Sequence, residues 1–338
     1  MSQNQVICIT NVDGLIGYAL ACRLLEGRQE LQNIHVRCLC RSTEGLEELQ
    51  RLGGEIMQVN YQDENKLRQA VKQARCVFLI PEHSSQRVQE AENVIKAAKQ
   101  ESVEHMAMKS WIGVEHVKQE HEFKTLVEYQ QIEEKLKQEF PGSKHCVTRI
   151  PLLNQLFYLM TPMAETQEAL RLPVKQDVKW GTIDLRDMVN AIFNLIRDQS
   201  KQPSFGTQKQ VIRLTPEQNL KGEQIARGMA LSLEKDPQHF KYKQISDNEW
   251  EEYMRERRND PRYKNRPQSE GGTEKPYTMP IGRYFNDGLI QELNEWFKLA
   301  SQQKVDVTTK DLQELLQHAP INLEEYFKSN REQFRRFR

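Results

Sequence analysis

Thr10-Asn11-Val12-Asp13-Gly14-Leu15-Ile16-Gly17 is the stretch on which the reading of this chain turns. It follows a β-rich run, residues 6–10, and opens a helix-period segment, residues 14–25, whose apolar Leu15, Ala19, Cys22 and Leu25 fall near one stripe. Strand, glycine turn and helix in that order are the context in which a dinucleotide pyrophosphate is held. The turn must bring backbone N–H groups close to the phosphates, and a side chain there blocks the approach. The helix N-terminus adds unpaired N–H donors and the positive end of its dipole. Gly14 and Gly17 fit G-x-x-G-x-x-G, with Asn11 where the first glycine belongs. Asn tolerates a left-handed backbone better than most non-glycine residues, so the turn is expected to survive with a side chain at its tightest point. Thr10, Asn11, Asp13, Gly14, Leu15, Ile16 and Gly17 are therefore candidate cofactor-binding residues. The competing reading is an ordinary strand–turn–helix with a glycine for packing.

Outward from this turn, short apolar runs alternate with longer polar segments of helical period. Strands are expected at 34–39, 55–59, 76–80, 103–108 and 145–150, and helices at 44–52, 64–73, 86–100 and 120–138. That alternation implies βαβ units, a doubly wound parallel sheet of Rossmann type, and ligands at the carboxyl ends of its strands. After Pro151 the rhythm changes. Short strands at 179–183 and 210–214 mix with helices at 188–196 and 222–233, and three short amphipathic helices follow at 287–300, 309–318 and 323–334. Residues 255–276, rich in charge, Asn, Pro and Gly, read as an exposed mobile loop. The expected organisation is a dinucleotide-binding domain over 1–150 and a smaller α/β domain over 151–338 for substrate or partner.

Composition narrows the function classes. Over 338 residues, 48 Lys and Arg balance 48 Asp and Glu, which argues against a surface built for nucleic acid or anionic lipid. Mean hydropathy is -0.76, and no apolar run approaches the roughly 20 residues that span a bilayer. The start shows no basic region or long apolar segment of a leader peptide. Six cysteines, at 8, 22, 38, 40, 76 and 146, match neither a zinc ribbon nor a disulfide framework. A reducing compartment, cytoplasmic or nucleocytoplasmic, is the expected location.

The end of the second strand tests the cofactor. An acid there accepts hydrogen bonds from an adenosine ribose; this chain has Cys38-Leu39-Cys40-Arg41-Ser42 instead. Arg41 can pair with a 2′-phosphate, which favours NADP(H), and Arg37 lies on the same alternating face as Leu39 and can assist. The alternative is a solvated strand-end charge. Cys38 and Cys40 share a face with Ile34 and Val36 and read as buried apolar residues rather than metal ligands.

In these segments the chain resembles the NmrA-like proteins, an atypical branch of the short-chain dehydrogenase/reductase superfamily. The resemblance runs through residues 9–17, Val36-Arg37-Cys38-Leu39-Cys40-Arg41, Val59-Asn60-Tyr61-Gln62-Asp63 and Cys76-Val77-Phe78-Leu79-Ile80-Pro81. It continues through Asn93-Val94-Ile95-Lys96-Ala97-Ala98, Val103-Glu104-His105-Met106, Ser110, Ile132-Glu133, Thr148-Arg149-Ile150-Pro151 and Ile183-Asp184-Leu185-Arg186-Asp187, and into the tail at 309–334. It implies a Rossmann domain binding NADP(H), with a smaller domain over its carboxyl edge. It also implies that Gly14 and Gly17 sit at the pyrophosphate, Arg41 at the 2′-phosphate and Asn60 near the adenine. Members of the family are either reductases of quinones or phenolic compounds, or redox-state sensors and negative regulators of transcription factors.

Catalysis in a short-chain reductase needs a Tyr that passes a proton to the substrate oxygen and a Lys four residues later that lowers its pKa. Here Tyr129-Gln-Gln-Ile-Glu133 ends in a carboxylate, which shifts a Tyr the wrong way. Lys124 and Lys135 are out of step, so the catalytic Lys is expected to be absent. Tyr129 and Ser110 remain the candidate catalytic residues, each with a plain packing or turn-capping alternative. His116 and His121 lack metal-pair spacing, and no G-x-S-x-G, Walker or H-E-x-x-H motif occurs. The basic run 255–266 with Tyr263, and the tail 331–338 with Phe334 and Phe337, read as solvated segments before nucleic-acid or docking elements. No metal is expected.

The reading is an NADP(H)-binding, non-catalytic protein that acts through a protein partner such as a transcription factor, without membrane or nucleic acid. Cofactor occupancy would order loops at the sheet's carboxyl edge and the C-terminal helices for that partner to read. A true NADPH-dependent reductase of quinone, aldehyde or phenolic substrates is the alternative. A degenerate scaffold whose turn Asn11 has closed is the third.

Overall fold

The computed structural model describes residues 5–31, 34–118, 121–199, 209–264 and 284–336. The chain runs β1 (Gln5–Ile9), α1 (Leu15–Glu26), β2 (Ile34–Cys40), α2 (Glu47–Arg51), β3 (Glu55–Gln58), α3 (Glu64–Val71), β4 (Ala74–Leu79), α4 (Arg87–Gln100), β5 (His105–Trp111), α5 (Lys124–Glu139) and β6 (His145–Ile150). It continues through β7 (Leu152–Leu153), α6 (Leu156–Gln167), β8 (Ala169–Leu172), β9 (Lys179–Trp180), β10 (Thr182–Ile183), α7 (Leu185–Gln199), β11 (Val211–Arg213), β12 (Leu220–Lys221), α8 (Gly222–Ser232) and β13 (Lys241–Gln244). Six helices close it: α9 (Asp247–Asn259), α10 (Pro261–Lys264), α11 (Asp287–Ser301), α12 (Asp311–Leu316), α13 (Leu323–Ser329) and α14 (Arg331–Arg336).

Two compact units emerge. The first holds residues 1–114, 127–149 and 189–213. Its seven strands lie in the order β11-β6-β5-β4-β1-β2-β3. The registered pairs from β1 to β5, and β6 with β11, are parallel, as a Rossmann-type sheet requires. The order reverses between β1 and β4, and the carboxyl ends there form the crevice in which such sheets bind ligands. Helices cover both faces, so the central strands bury both sides. This makes Cys76, Val77, Phe78, Leu79 and Ile80 a continuous buried run.

The second unit holds residues 115–126, 150–188 and 214–338. It has three two-stranded pairings, β10 with β7, β12 with β9 and β13 with β8, around an aromatic core. Tyr158 and Phe334 rings lie 4.6 Å apart, Phe157 and Phe327 5.2 Å, and Trp250 and Phe297 5.1 Å. Four expectations change here. The strand expected over 179–183 is two strands with different partners, broken at Gly181, where a Cβ would lie 2.3 Å from Asn219 Oδ1. The expected loop begins instead as helix, because Ser246 caps α9 by accepting from the Glu249 N–H, and Trp250 and Met254 are buried. Tyr263 is buried and donates to the Tyr158 carbonyl at 3.2 Å, so it is a core residue. Residues 265–276 of that segment lie outside the described residues. Phe334 is likewise buried in the core, not carried on a free tail. Phe337 lies outside the described residues.

Among the described residues no helix is long and apolar enough to cross a membrane. The six cysteines are buried and unbridged, and no group of His, Cys, Asp and Glu among the described residues suits a metal. Burial pushes the Cys40 thiol up to about 12, so it stays protonated and behaves as a small apolar group.

Candidate nucleotide site

The glycine turn is held from three sides. The buried Thr10 hydroxyl accepts from the Ile80 N–H at 2.8 Å and donates to the Ile80 carbonyl at 3.1 Å, tying the end of β1 to the end of β4. Asn11 has φ of 53°, the left-handed conformation expected of it. Its N–H donates to the Tyr61 hydroxyl at 2.9 Å, and its side-chain amide reaches the Pro81 carbonyl at 3.4 Å. The amide nitrogen thus turns toward the end of β4, while Oδ1 stays beside Gly14 within the turn. Tyr61, fully buried, donates in turn to the Leu39 carbonyl at 3.4 Å. It braces the turn from β3, a role that its place in the Asn60-Tyr61 motif did not specify.

α1 begins directly after this turn. Its N-cap, Gly14, is extended (φ −96°, ψ 161°) and supplies no side-chain cap. The first-turn N–H groups therefore face outward with the positive end of the dipole, the arrangement that receives a pyrophosphate. A Cβ on Gly14 would lie 2.5 Å from Asn11 Oδ1, and one on Gly17 only 2.1 Å from the Asn11 carbonyl oxygen. Leu15 and Ile16 are half-buried at this helix start, and Asn60 is exposed beyond β3, its side chain accepting from the Gln62 N–H at 3.0 Å.

The end of β2 departs from the expected pairing. Arg41 donates to Glu82 at 3.0 Å and to Glu90 at 2.6 Å, and its guanidinium lies 5.5 Å from the Tyr61 ring centre. Asp13 Oδ2 accepts from the N–H groups of Arg41 and Ser42, at 3.0 and 2.9 Å. Arg37 is not part of this group. It pairs with Glu55 at 2.7 Å and donates to the carbonyls of Ala70 and Lys72, because β2 places it against β3 and the end of α3. The residues thus fit a pyrophosphate and a ribose, whereas a 2′-phosphate must compete with carboxylates already on Arg41.

Burial pushes the Glu82 carboxyl up to about 7 against the pull of Arg41, with Asp13 and Glu90 adding to the rise. The sign follows from proton linkage. A carboxyl raised in the folded state binds its proton more tightly there than in the unfolded chain, so its cost to stability is absent below about pH 4.5 and complete above about pH 7. Glu82→Gln removes that cost. It should stabilise the chain by on the order of 3 kcal/mol at pH 8 and by nothing measurable at pH 4.5, read from urea unfolding. An equal effect at both values would refute the assignment.

At the end of β5 a Tyr and a Lys meet not on one helix but from two elements. Lys109 on β5 is 2% exposed, and its Nζ lies 3.4 Å from the Tyr129 hydroxyl of α5. The same ammonium lies 3.5 Å from the Trp111 ring centre. The Arg87 guanidinium lies 5.3 Å from the Tyr129 ring centre, so cations flank the phenol. Glu133, four residues after Tyr129, does not face the phenol alone as its spacing implied. It takes both arms of Arg149, at 3.1 and 2.6 Å. Tyr129 and Ser110 are each 0% exposed, and Ser110 Oγ has no hydrogen-bond partner among the described residues.

The second unit has its own cavity of about 380 Å³, lined in part by Trp180, Thr182, Pro216, Ile225 and Ile321. The Trp180 indole N–H and the Thr182 hydroxyl are buried there without partners among the described residues. Below it, Asp187 accepts from the Ile321 N–H at 2.7 Å, and burial raises its carboxyl to about 6.

The model of the NmrA-like family matches residues 3–259. The sequence matches no curated protein. Similar solved structures include an NADPH-dependent quinone oxidoreductase from Escherichia coli in complex with NADPH. It is 17% identical, with TM-score 0.71, over 96% of this chain and 99% of that one. A triphenylmethane reductase from Citrobacter sp. complexed with NADP(H) is 14% identical, with TM-score 0.72, over 96% and 99%. A negative transcriptional regulator, NmrA, in complex with NADP is 15% identical, with TM-score 0.68, over 97% and 95%. At these identities the likeness is one of fold.

Proposed function

The chain belongs to the NmrA-like family, and from that premise we propose that it binds NADP(H) at its glycine turn, catalyses little, and acts through a protein partner that senses cofactor occupancy. The observation that carries the binding is the uncapped start of α1, kept open by Gly14, Gly17 and a left-handed Asn11. Solved relatives in fold that hold NADPH, NADP(H) and NADP support the choice of cofactor. The non-catalytic half is supported by the burial of Tyr129, Ser110 and Lys109, which leaves the expected proton donor away from solvent. A partner reads occupancy only as far as it binds two cofactor-dependent states unequally, typically by about 1–3 kcal/mol.

Calorimetric titration of the full chain with NADPH, NADP⁺, NADH and NAD⁺ should show saturable binding that Gly14→Trp abolishes. Failure of all four leaves a scaffold without nucleotide. NADPH oxidation with quinone, aldehyde or phenolic acceptors should stay at the rate of buffer alone.

A second reading, a reductase, is favoured by the Lys109 and Tyr129 contact. In it Tyr129 hands its proton to the substrate oxygen while Lys109 holds the phenolate charge. Turnover that is lost in Gly14→Trp and in Lys109→Met, with dinucleotide affinity kept in the latter, would establish it.

A further inference from the structure

The groups around Arg41 come from five elements. Asp13 follows β1, Cys40 and Arg41 end β2, Tyr61 follows β3, and Glu82 and His83 follow β4. Arg87 and Glu90 face them from α4. Arg87 supplies no spare charge, since it donates to the Glu82 carbonyl at 2.8 Å and to Glu128 at 2.6 Å. Glu90 is 4% exposed and takes both Arg41 and the Ser84 hydroxyl. Two carboxylates, Glu82 and Glu90, thus meet the Arg41 guanidinium, and a third, Asp13, holds the backbone N–H groups of Arg41 and Ser42, at the position where a 2′-phosphate would bring a further charge of −1.5 to −2.

Two oxygens sharpen the case. Asp13 Oδ1 and Glu82 Oε1 are buried with no partner among the described residues. Both are acceptors, and a buried acceptor is satisfied by a donor. The hydroxyls of an unphosphorylated ribose donate, whereas a phosphate dianion only accepts. Asp13 also occupies the N–H groups of Arg41 and Ser42, which would otherwise be offered to a phosphate.

We propose that Asp13, Glu82 and Glu90 form an internal stand-in for the adenosine 2′-phosphate, so that at neutral pH and above NAD(H) is held at least as tightly as NADP(H), and neutralising the carboxylates shifts the preference to the phosphorylated form. The proposal rests on the dinucleotide binding at the glycine turn argued above. Asp13 is its principal specificity determinant. Acidification frees one bond to Arg41 as Glu82 takes up a proton, so the balance between the two cofactors becomes a function of pH.

The test is calorimetry of the full chain with NADP⁺ and NAD⁺ at pH 6.5 and 8.0, on the wild type, Asp13→Asn and Glu82→Gln. In the wild type at pH 8.0 NAD⁺ should bind as tightly as NADP⁺ or more so, and the balance should move toward NADP⁺ at pH 6.5. Asp13→Asn keeps an acceptor oxygen and removes the charge. It should raise affinity for NADP⁺ relative to NAD⁺ by about tenfold at both pH values. Glu82→Gln should favour NADP⁺ at pH 8.0 and abolish the pH dependence. A slope that persists in Glu82→Gln belongs to the ligand's own phosphate, whose second pKa is near 6, and overturns the carboxylate's role. Wild-type NADP⁺ binding tenfold tighter than NAD⁺ at pH 8.0 overturns the proposal outright while leaving dinucleotide binding intact. Absence of binding by either nucleotide at both pH values removes the parent reading along with it.

Discussion

Gly17→Ala should unseat the start of α1, costing about 3 kcal/mol of stability and at least a hundredfold in dinucleotide affinity. A Cβ at this position would meet the Asn11 carbonyl oxygen at 2.1 Å, the Asn11 carbonyl carbon at 2.7 Å and Val12 Cα at 2.8 Å. All three are backbone, so no rotamer change relieves the contact. Nor can the turn drift, since Asn11 is fixed at φ 53° by its N–H bond to Tyr61 while its carbonyl accepts from the Gly14 N–H at 3.0 Å. Either the turn or the helix must move, and both carry the donors that the proposed pyrophosphate site uses. Gly14→Ala is the informative contrast. Its shortest contact is with the Asn11 side-chain oxygen, which can rotate away, so its cost should be markedly smaller. Urea unfolding and calorimetry on both variants check the ranking; wild-type affinity in Gly17→Ala would show that phosphates are not held by this turn.

The first unit was legible because its strands bury both faces and its helices cover them, which writes apolar runs and helical periods directly into residues 6–108. The second unit was less so. β9 and β10 are two residues each, too short for any periodicity, and only the tight packing at Gly181 divides them. β11 adds to the sheet beside β6, a pairing set by tertiary contact and invisible in Val211–Arg213 alone. The end of α9, from Arg255, is so charged that its sequence reads as a loop. Its signals were electrostatic instead: a Ser246 cap, acids at Asp247 and Glu249 in the first turn and Arg257 and Arg258 in the last.

The site shows the same division. Gly14, Gly17 and the left-handed Asn11 follow from local chemistry, because a turn between strand and helix admits few residues. The partners of Arg41 do not. Glu82 and Glu90 arrive from the end of β4 and from α4, and a charge read as a phosphate ligand from its own strand end proves to be already engaged. Lys109 is not legible in the sequence, because an i, i+4 spacing relates only residues sharing one helix face. Its contact with Tyr129 crosses from a strand to a helix.

Glu133→Ala should be the most destabilising of the single changes considered, at about 4 kcal/mol, because it takes from a buried guanidinium the carboxylate that accepts two of its hydrogen bonds. Arg149 on β6 and Glu133 on α5 are 8% and 9% exposed and joined by two hydrogen bonds. The pair itself adds little net stability, since taking two charges out of water offsets most of their attraction. Removing one partner leaves that desolvation uncompensated. The double variant Glu133→Leu with Arg149→Met should therefore recover most of the loss, whereas additive costs would show that packing and not charge is at stake. The pair also fixes the rotation of α5, and Tyr129 lies one turn before Glu133 on the same face. If the clamp positions the phenol against Lys109, the double variant should restore stability while changing the near-ultraviolet signal of the buried Tyr129 and Trp111. A restored signal would assign the orientation of Tyr129 to Lys109 and Arg87 alone.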